Sequence, residues 1–175
     1  MTDALDLRGR RYDYAGPAEH FASAASGGRG TAITSMIEAE KWLAGRDPGE
    51  RDEPFTFVVD LVGFLRLAPR RSEHVGCAGG EQVLSAGEIA FTCRADGLAA
   101  TQISNQSTGY CPDQASWPAV AAALERAGLS HPGGFTDTHI FRRCPRCRQI
   151  NVVKDDHYVC AVCDETLPGR WNVDI

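Results

Sequence analysis

Between Phe55 and Ser104 the apolar residues fall in short runs separated by glycine-centred turns. Residues 55–60 (Phe-Thr-Phe-Val-Val-Asp) are aromatic and β-branched almost throughout and predict a strand. Gly63 marks a turn, and residues 64–67 return as the second strand of a hairpin. Arg70-Arg71-Ser72-Glu73-His74 reads as a polar loop and Ala78-Gly79-Gly80 as a turn. Residues 83–92 and 98–104 predict two more strands around a turn at Ala95-Asp96-Gly97. Gly87, inside the first of these, signals a bulge or the close approach of another backbone. A loop rich in hydrogen-bonding side chains follows over residues 105–110.

Two stretches carry helical spacing instead. Ser35-Met36-Ile37-Glu38 fits a capping box, with the helix starting there or nearer Thr31. Ile33, Ile37 and Trp42 or Leu43 would form its apolar face, and Gly45 closes it. Ser116 caps the second, with Pro118 in the first turn and Gly128 just past the end. Its buried face is Trp117, Val120 or Ala121, Leu124 and Ala127. A short helix is predicted over residues 17–25. Residues 1–16 read as a loosely held arm. Ser26-Gly27-Gly28-Arg29-Gly30 lacks the Lys-Ser/Thr and the preceding strand of a phosphate loop and reads as a flexible linker.

Beyond a second linker at residues 130–137, residues 138–143 predict a strand that leads into Cys144-Pro145-Arg146-Cys147. Residues 150–153 and 158–159 predict the two strands of a hairpin turning at Lys154-Asp155-Asp156. Cys160-Ala161-Val162-Cys163 then follows, and Trp171 is expected to pack on this small module. Two Cys-x-x-Cys pairs, each on a tight turn, supply the four thiolates of a tetrahedral metal site: Cys144, Cys147, Cys160 and Cys163. Four sulfurs close the coordination shell, so the expected metal is structural Zn²⁺; iron in a rubredoxin-type site uses the same ligands. Residues 142–168 resemble a zinc ribbon, with Arg148 and Asp164 standing just after the knuckles where glycine is common.

These elements divide the chain into an N-terminal helical segment (1–50), a β-rich core (51–137) and the ribbon module (138–175). The predicted class is α+β: a small, mostly antiparallel sheet, one or two helices on one face, and the docked ribbon.

Net charge and cysteine use narrow the function. A charge of −5 over 175 residues argues against a general nucleic-acid or membrane-surface binder, both of which need a basic face. A local patch of Arg142, Arg143, Arg146 and Arg148 keeps a nucleic-acid-binding ribbon in play. No run approaches the roughly 20 apolar residues of a membrane span, and residues 1–6 do not open a secretory signal. Four of seven cysteines are assigned to metal; Cys77, Cys93 and Cys111 lack a natural pairing, which fits reduced thiols in a cytoplasm.

The middle of the chain carries a further pattern: a hairpin, His74, Ala86-Gly87-Glu88, then Ser107-Thr108-Gly109-Tyr110 and a helix. Residues 55–128 in this order resemble a domain of plant IQ-motif calmodulin-binding proteins and of bacterial polymorphic toxin C-termini. Ala86, Gly87, Glu88, Gly109 and Tyr110 match in place; Ser107 and His74 match with a one-residue offset, and no histidine stands between Gly109 and Tyr110. The resemblance implies an enzyme acting on a nucleotide cofactor or a protein. A His-Tyr-Glu set is also similar to that of ADP-ribosyltransferases, which would make His74, Glu88 and Tyr110 catalytic. Asn105 and Ser107 would help hold a nucleotide-like ligand. The competing reading is that Asn105, Ser107 and Thr108 satisfy turn backbone and that Glu88 sits at a bulge. Cys111 offers a rival nucleophile, with His74, His131 or His139 as base. His20 and His157 read as surface residues. Three functions therefore stand: a binding or adaptor protein for a protein partner or nucleotide-like ligand, an enzyme of the middle domain, and a nucleic-acid-binding ribbon.

Overall fold

In a computed structural model, residues 9–24 and 26–174 are described. Five strands form one antiparallel sheet in the order β1-β3-β2-β4-β5: β1 (Thr31–Ile33), β2 (Phe55–Val59), β3 (Leu65–Ala68), β4 (Ser85–Arg94) and β5 (Gly97–Ile103). A second, two-stranded sheet pairs β6 (Ile140–Arg143) with β7 (Ile150–Val153). The α+β class is as the sequence predicts. No helix among the described residues is long and apolar enough to cross a membrane.

Every residue of the central strand β2 is buried, because both faces of the sheet are covered. One face carries Phe55, Phe57, Val59, Leu67 and Ile89 under α2 (Met36–Ala44) and α4 (Trp117–Arg126). Val120, Ala123 and Leu124 of α4 are buried there, and Ala127 continues that face. The helix stops in a Schellman turn: Gly128 at φ +73° donates to Glu125, and Leu129 donates to the Leu124 carbonyl.

The opposite face has no long helix, and the segment read as a loose arm covers it instead. Tyr12 is 2% exposed and exchanges two backbone hydrogen bonds with Val83. Ala15 donates to the Gly109 carbonyl at 2.7 Å, and Tyr14 packs edge-on against Tyr110. The rest of that expectation, residues 1–8, lies outside the described residues. A four-residue helix, α3 (His74–Cys77), closes the same face with Val75 and Cys77 buried. It begins at the last residue of the predicted polar loop and ends just before the predicted turn. The helix α1 (Ala18–Ala24) packs against α3.

Other local expectations shift for identifiable reasons. Ile33 belongs to β1, pairing with Leu65, and Ile37 is 75% exposed. The helix at α2 therefore starts at Met36 and buries Ala39. Ser35 caps it by accepting from the Glu38 amide, while the Glu38 carboxylate reaches past Ser35 to the amide and hydroxyl of Thr34. Ser116 does not cap α4 with its side chain: its Oγ faces Ser85 Oγ at 2.9 Å. Residues 130–137 are pinned along β5, where Ala100 donates to Ser130 and Thr136 exchanges bonds with Ile103.

The ribbon is wired differently from its predicted hairpin. The strand β7 pairs with β6, not with residues 158–159, so the first cysteine knuckle is itself the hairpin turn. Residues around the second knuckle close through a bridge between Val159 and Thr166. Trp171 sits between the ribbon and the core, packed against the cluster of Cys111, Phe141 and Val173 on one side and the core on the other. Its indole donates to the Cys111 carbonyl at 2.7 Å, meets Tyr12 edge-on at 5.2 Å, and lies under the Arg10 guanidinium. The tail thus fastens the ribbon to the core.

Candidate metal centre

The two knuckles repeat one bonding pattern. In the first, Cys144 donates to Gln149 O and Arg148 donates back to Cys144 O; in the second, Cys160 donates to Glu165 O and Asp164 to Cys160 O. This turn forces the fifth residue into the left-handed region, and Arg148 (φ +67°) and Asp164 (φ +58°) adopt it without being glycine. The departure visible in the sequence therefore changes the side chain and leaves the turn intact.

Together the knuckles bring the four sulfurs within 4.8 Å of one another. Cys144 and Cys163 stand 3.5 Å apart and Cys147 and Cys160 3.6 Å apart. Four sulfurs at about 2.3 Å from one ion define a tetrahedron with edges of about 3.8 Å, whereas a disulfide needs about 2.05 Å. The spacing is that of a metal shell with no position left for water. Cys144 and Cys160 are fully buried, and the Cys147 amide and Val162 amide point at their sulfurs. Asn151 adds its amide to Cys160 Sγ. Burial works against the Cys160 thiolate, but the Val162 and Cys163 amides and Asn151 outweigh it and pull its pKa down to about 6. These four cysteines can hold a metal ion, consistent with a zinc ribbon.

The arginines near the knuckles do not form one exposed patch. Arg142 is 8% exposed and donates to the carbonyls of Phe141, Pro168 and Gly169. Arg143 donates to Val173 and Arg148 carbonyls. Arg146 and Arg148 remain exposed. Arg142 and Arg143 act as clasps that tie the ribbon to the tail.

Most of the polar side chains singled out in the middle domain hold the frame together. The amide group of Asn105 donates to Pro112 O and His139 O and accepts from the His139 amide, joining the loop to the strand entering the ribbon. Ser107 Oγ accepts from the Tyr110 amide. Tyr110 is buried, and its hydroxyl donates to Glu81 O at 2.6 Å. Glu88 is exposed on β4 and borders a cavity with Gln102 and Asp137, while Tyr110 borders a different one with Tyr14 and Trp171. Cys111 is buried with its thiol pushed up to about 12, and it donates to Thr108 O. It is thus a neutral thiol at ordinary pH. His131 pairs with Glu125 and His139 with Asp137. Replacing Tyr110 by Phe leaves the Glu81 carbonyl without its partner; a loss of about 1–2 kcal/mol in urea denaturation is the expected result.

His74 Nε2 donates to the Gly87 carbonyl at 2.8 Å, and burial lowers its pKa below the ordinary value. The consequence is a pH dependence. A histidine kept neutral in the fold takes up a proton on unfolding below about pH 6.5. Its contribution to stability is complete above that range and declines as the pH falls through it. His74→Gln keeps a donor for Gly87 and is expected to flatten the decline, read from denaturant midpoints between about pH 8 and pH 5.

Sequence reasoning missed the Asp60–Arg66 pair. Arg66 Nε lies 2.7 Å from Asp60 Oδ2, and Asp60 Oδ1 accepts from the Val62 and Phe64 amides to close the β2–β3 turn. An aspartate just past the end of a strand, three residues before the turn glycine Gly63, is the signal that marks it.

In comparisons with known proteins, no family model, curated sequence or solved structure matches the chain. The resemblance of residues 55–128 to the IQ-motif and toxin domain rests on its short motifs alone.

Proposed function

We propose that this chain is a zinc-ribbon binding module, in which structural Zn²⁺ on Cys144, Cys147, Cys160 and Cys163 holds a small ribbon clamped to a β-rich domain. The observation that carries the reading is the closed cluster of four sulfurs within 4.8 Å on two matching knuckles. When bound, the ion ties the knuckles together; with four thiolates around it there is no open position for chemistry. The chain's own groups do the rest: amides stabilise the thiolates, Asn151 orients Cys160, and Arg142, Arg143 and Trp171 fix the ribbon's angle to the core. The ribbon then offers a protein partner its outer knuckle surface, where Arg146 and Val162 are exposed. Buried, unpaired Cys77 and Cys111 and exposed, unpaired Cys93 agree with a reducing compartment such as the cytoplasm.

Elemental analysis of the purified protein tests the metal. The expected result is one zinc per chain, lost in Cys160→Ser; iron in its place, or no bound metal after purification under reducing conditions, would overturn the reading.

A further inference from the structure

A second site is marked by an arginine. Among the described residues, Arg46 Nε is the buried side-chain polar atom that has no hydrogen-bond partner. That atom is closed off from solvent, and the guanidinium it belongs to stacks on Trp42, which leaves its outer nitrogens as the groups able to meet a ligand. Arg46 borders a cavity of about 290 Å³ formed by residues 28–31, the end of β3, and Gly76 and Cys77 at the end of α3. Arg29 borders the same cavity, as does Ser72. Neither arginine is in an ion pair among the described residues, whereas Arg66 is paired with Asp60 and Arg70 with Glu53. One carboxylate, Glu73, stands at the rim; it is 63% exposed and lies 3.4 Å from His20 Nδ1.

Both arginines are held in place before anything binds. The guanidinium of Arg46 lies 4.8 Å above the centre of the Trp42 ring, and Phe55 meets that ring edge-on at 4.9 Å. The stem of Arg29 runs over Gly79, where a Cβ would stand 2.5 Å from Arg29 Cγ. Gly79 has φ +66°, so the backbone and the space there both suit glycine.

We propose that this cavity binds the phosphate group of a small ligand. Two guanidiniums bordering one cavity offer planar, charge-assisted donors that match an oxyanion. Two cations against one rim carboxylate favour a dianion over a monoanion. The volume sits at the bottom of the range for small-molecule sites, about 300–1,000 Å³, and admits a phosphate with a small organic group but not a dinucleotide. The site is not a phosphate loop: residues 26–30 join a helix to a strand, and the binding groups are side chains. It is independent of the ribbon and its metal.

The test is a titration of the full chain with inorganic phosphate at constant ionic strength, with chloride and acetate as parallel arms. Thermal midpoint and the Arg46 Nε–H NMR signal are followed. Phosphate is expected to raise the midpoint saturably and to shift the Nε–H signal. Arg46→Gln should weaken binding by about tenfold or more, the loss of a charge-assisted hydrogen bond. Arg29 is exposed, so Arg29→Gln serves as the variant that folds without difficulty, and it should weaken binding comparably. No saturable response to phosphate overturns the site. An equal response to acetate overturns its ligand class, and wild-type binding by Arg29→Gln overturns the two-arginine assignment.

Discussion

With zinc bound as proposed, its removal under reducing conditions is expected to unfold the ribbon while the five-stranded sheet stays folded. The ribbon's own core consists of Cys144, Val153, Cys160 and Leu167, with Ile140, Tyr158 and Cys163 packed beside them. Two buried aliphatic side chains contribute about 1.5–3 kcal/mol each, against an ordering cost of about 1–2 kcal/mol for every residue fixed. Apolar burial alone cannot hold the module. Structural zinc supplies on the order of 10 kcal/mol or more to such small folds, so ligand loss and local unfolding are one event. Hydrogen exchange reads this directly. After chelation the amides of Cys144, Arg148, Cys160 and Asp164, which close the two knuckles, will exchange freely. Amides of β2, paired on both sides, will keep their protection. Retained protection at the knuckles would show that the ribbon stands without its ion.

Gly87→Ala will be among the most damaging single substitutions in the β-rich domain. A Cβ at this position would lie 1.9 Å from the Ser104 carbonyl oxygen and 3.1 Å from Asn105 Cα. The obstacle is backbone, so no rotamer change relieves it. Gly87 also pairs with Phe57 in the middle of β2–β4, and its carbonyl receives His74. Moving β4 away therefore breaks the ladder, and moving residues 104–105 away breaks the bonds that Asn105 makes to Pro112 and His139. Overpacking of this kind costs about 3 kcal/mol or more. The reference is Gly49→Ala, where a Cβ meets open space and a change within about 0.5 kcal/mol is expected. Urea midpoints at unchanged slope compare the two. Equal midpoints would mean that the strands do not approach as closely as described.

A glycine inside an apolar strand run signalled either a bulge or a close approach at Gly87; the close approach is what the structure has, and the irregularity of β4 falls between Ala90 and Phe91 instead. Legible in the sequence were β2 to β5 and the buried face of α4, whose patterns are long enough to declare a period. The strand β1 has three residues, and Ile33 there stands four from Ile37, so a pairing with β3 looked like one turn of helix. The helix α3 has four residues and a glycine, too little for any periodic signal. Burial of Tyr12 and Tyr110 comes from partners far along the chain, Val83 and Trp171 for one and Glu81 for the other. No local pattern encodes such partners.

The same contrast separates the two kinds of site residue. Metal ligands announce themselves because chelation demands a fixed local spacing. The arginine patch and the polar loop at residues 105–110 demanded knowledge of which backbone carbonyls lie nearby, and those come from residues 168–173 and from 112 and 139. Hydrogen-bonding side chains that look available in a sequence are here the joints between segments.

The seat of Trp171 has a consequence for the order in which the molecule is made. On the ribosome Tyr12 emerges long before Trp171, yet its ring is completed by that indole. The early segment can pair with Val83 as soon as β4 has appeared, but it reaches its final packing only after the ribbon has been synthesised. Arg142 and Arg143 bind carbonyls of this same tail, so a ribbon that has captured its ion presents Trp171 in place. On the zinc reading proposed above, uptake of the ion would fix the ribbon whose tail carries Trp171 to Tyr12, so one event would order segments that lie far apart in the chain.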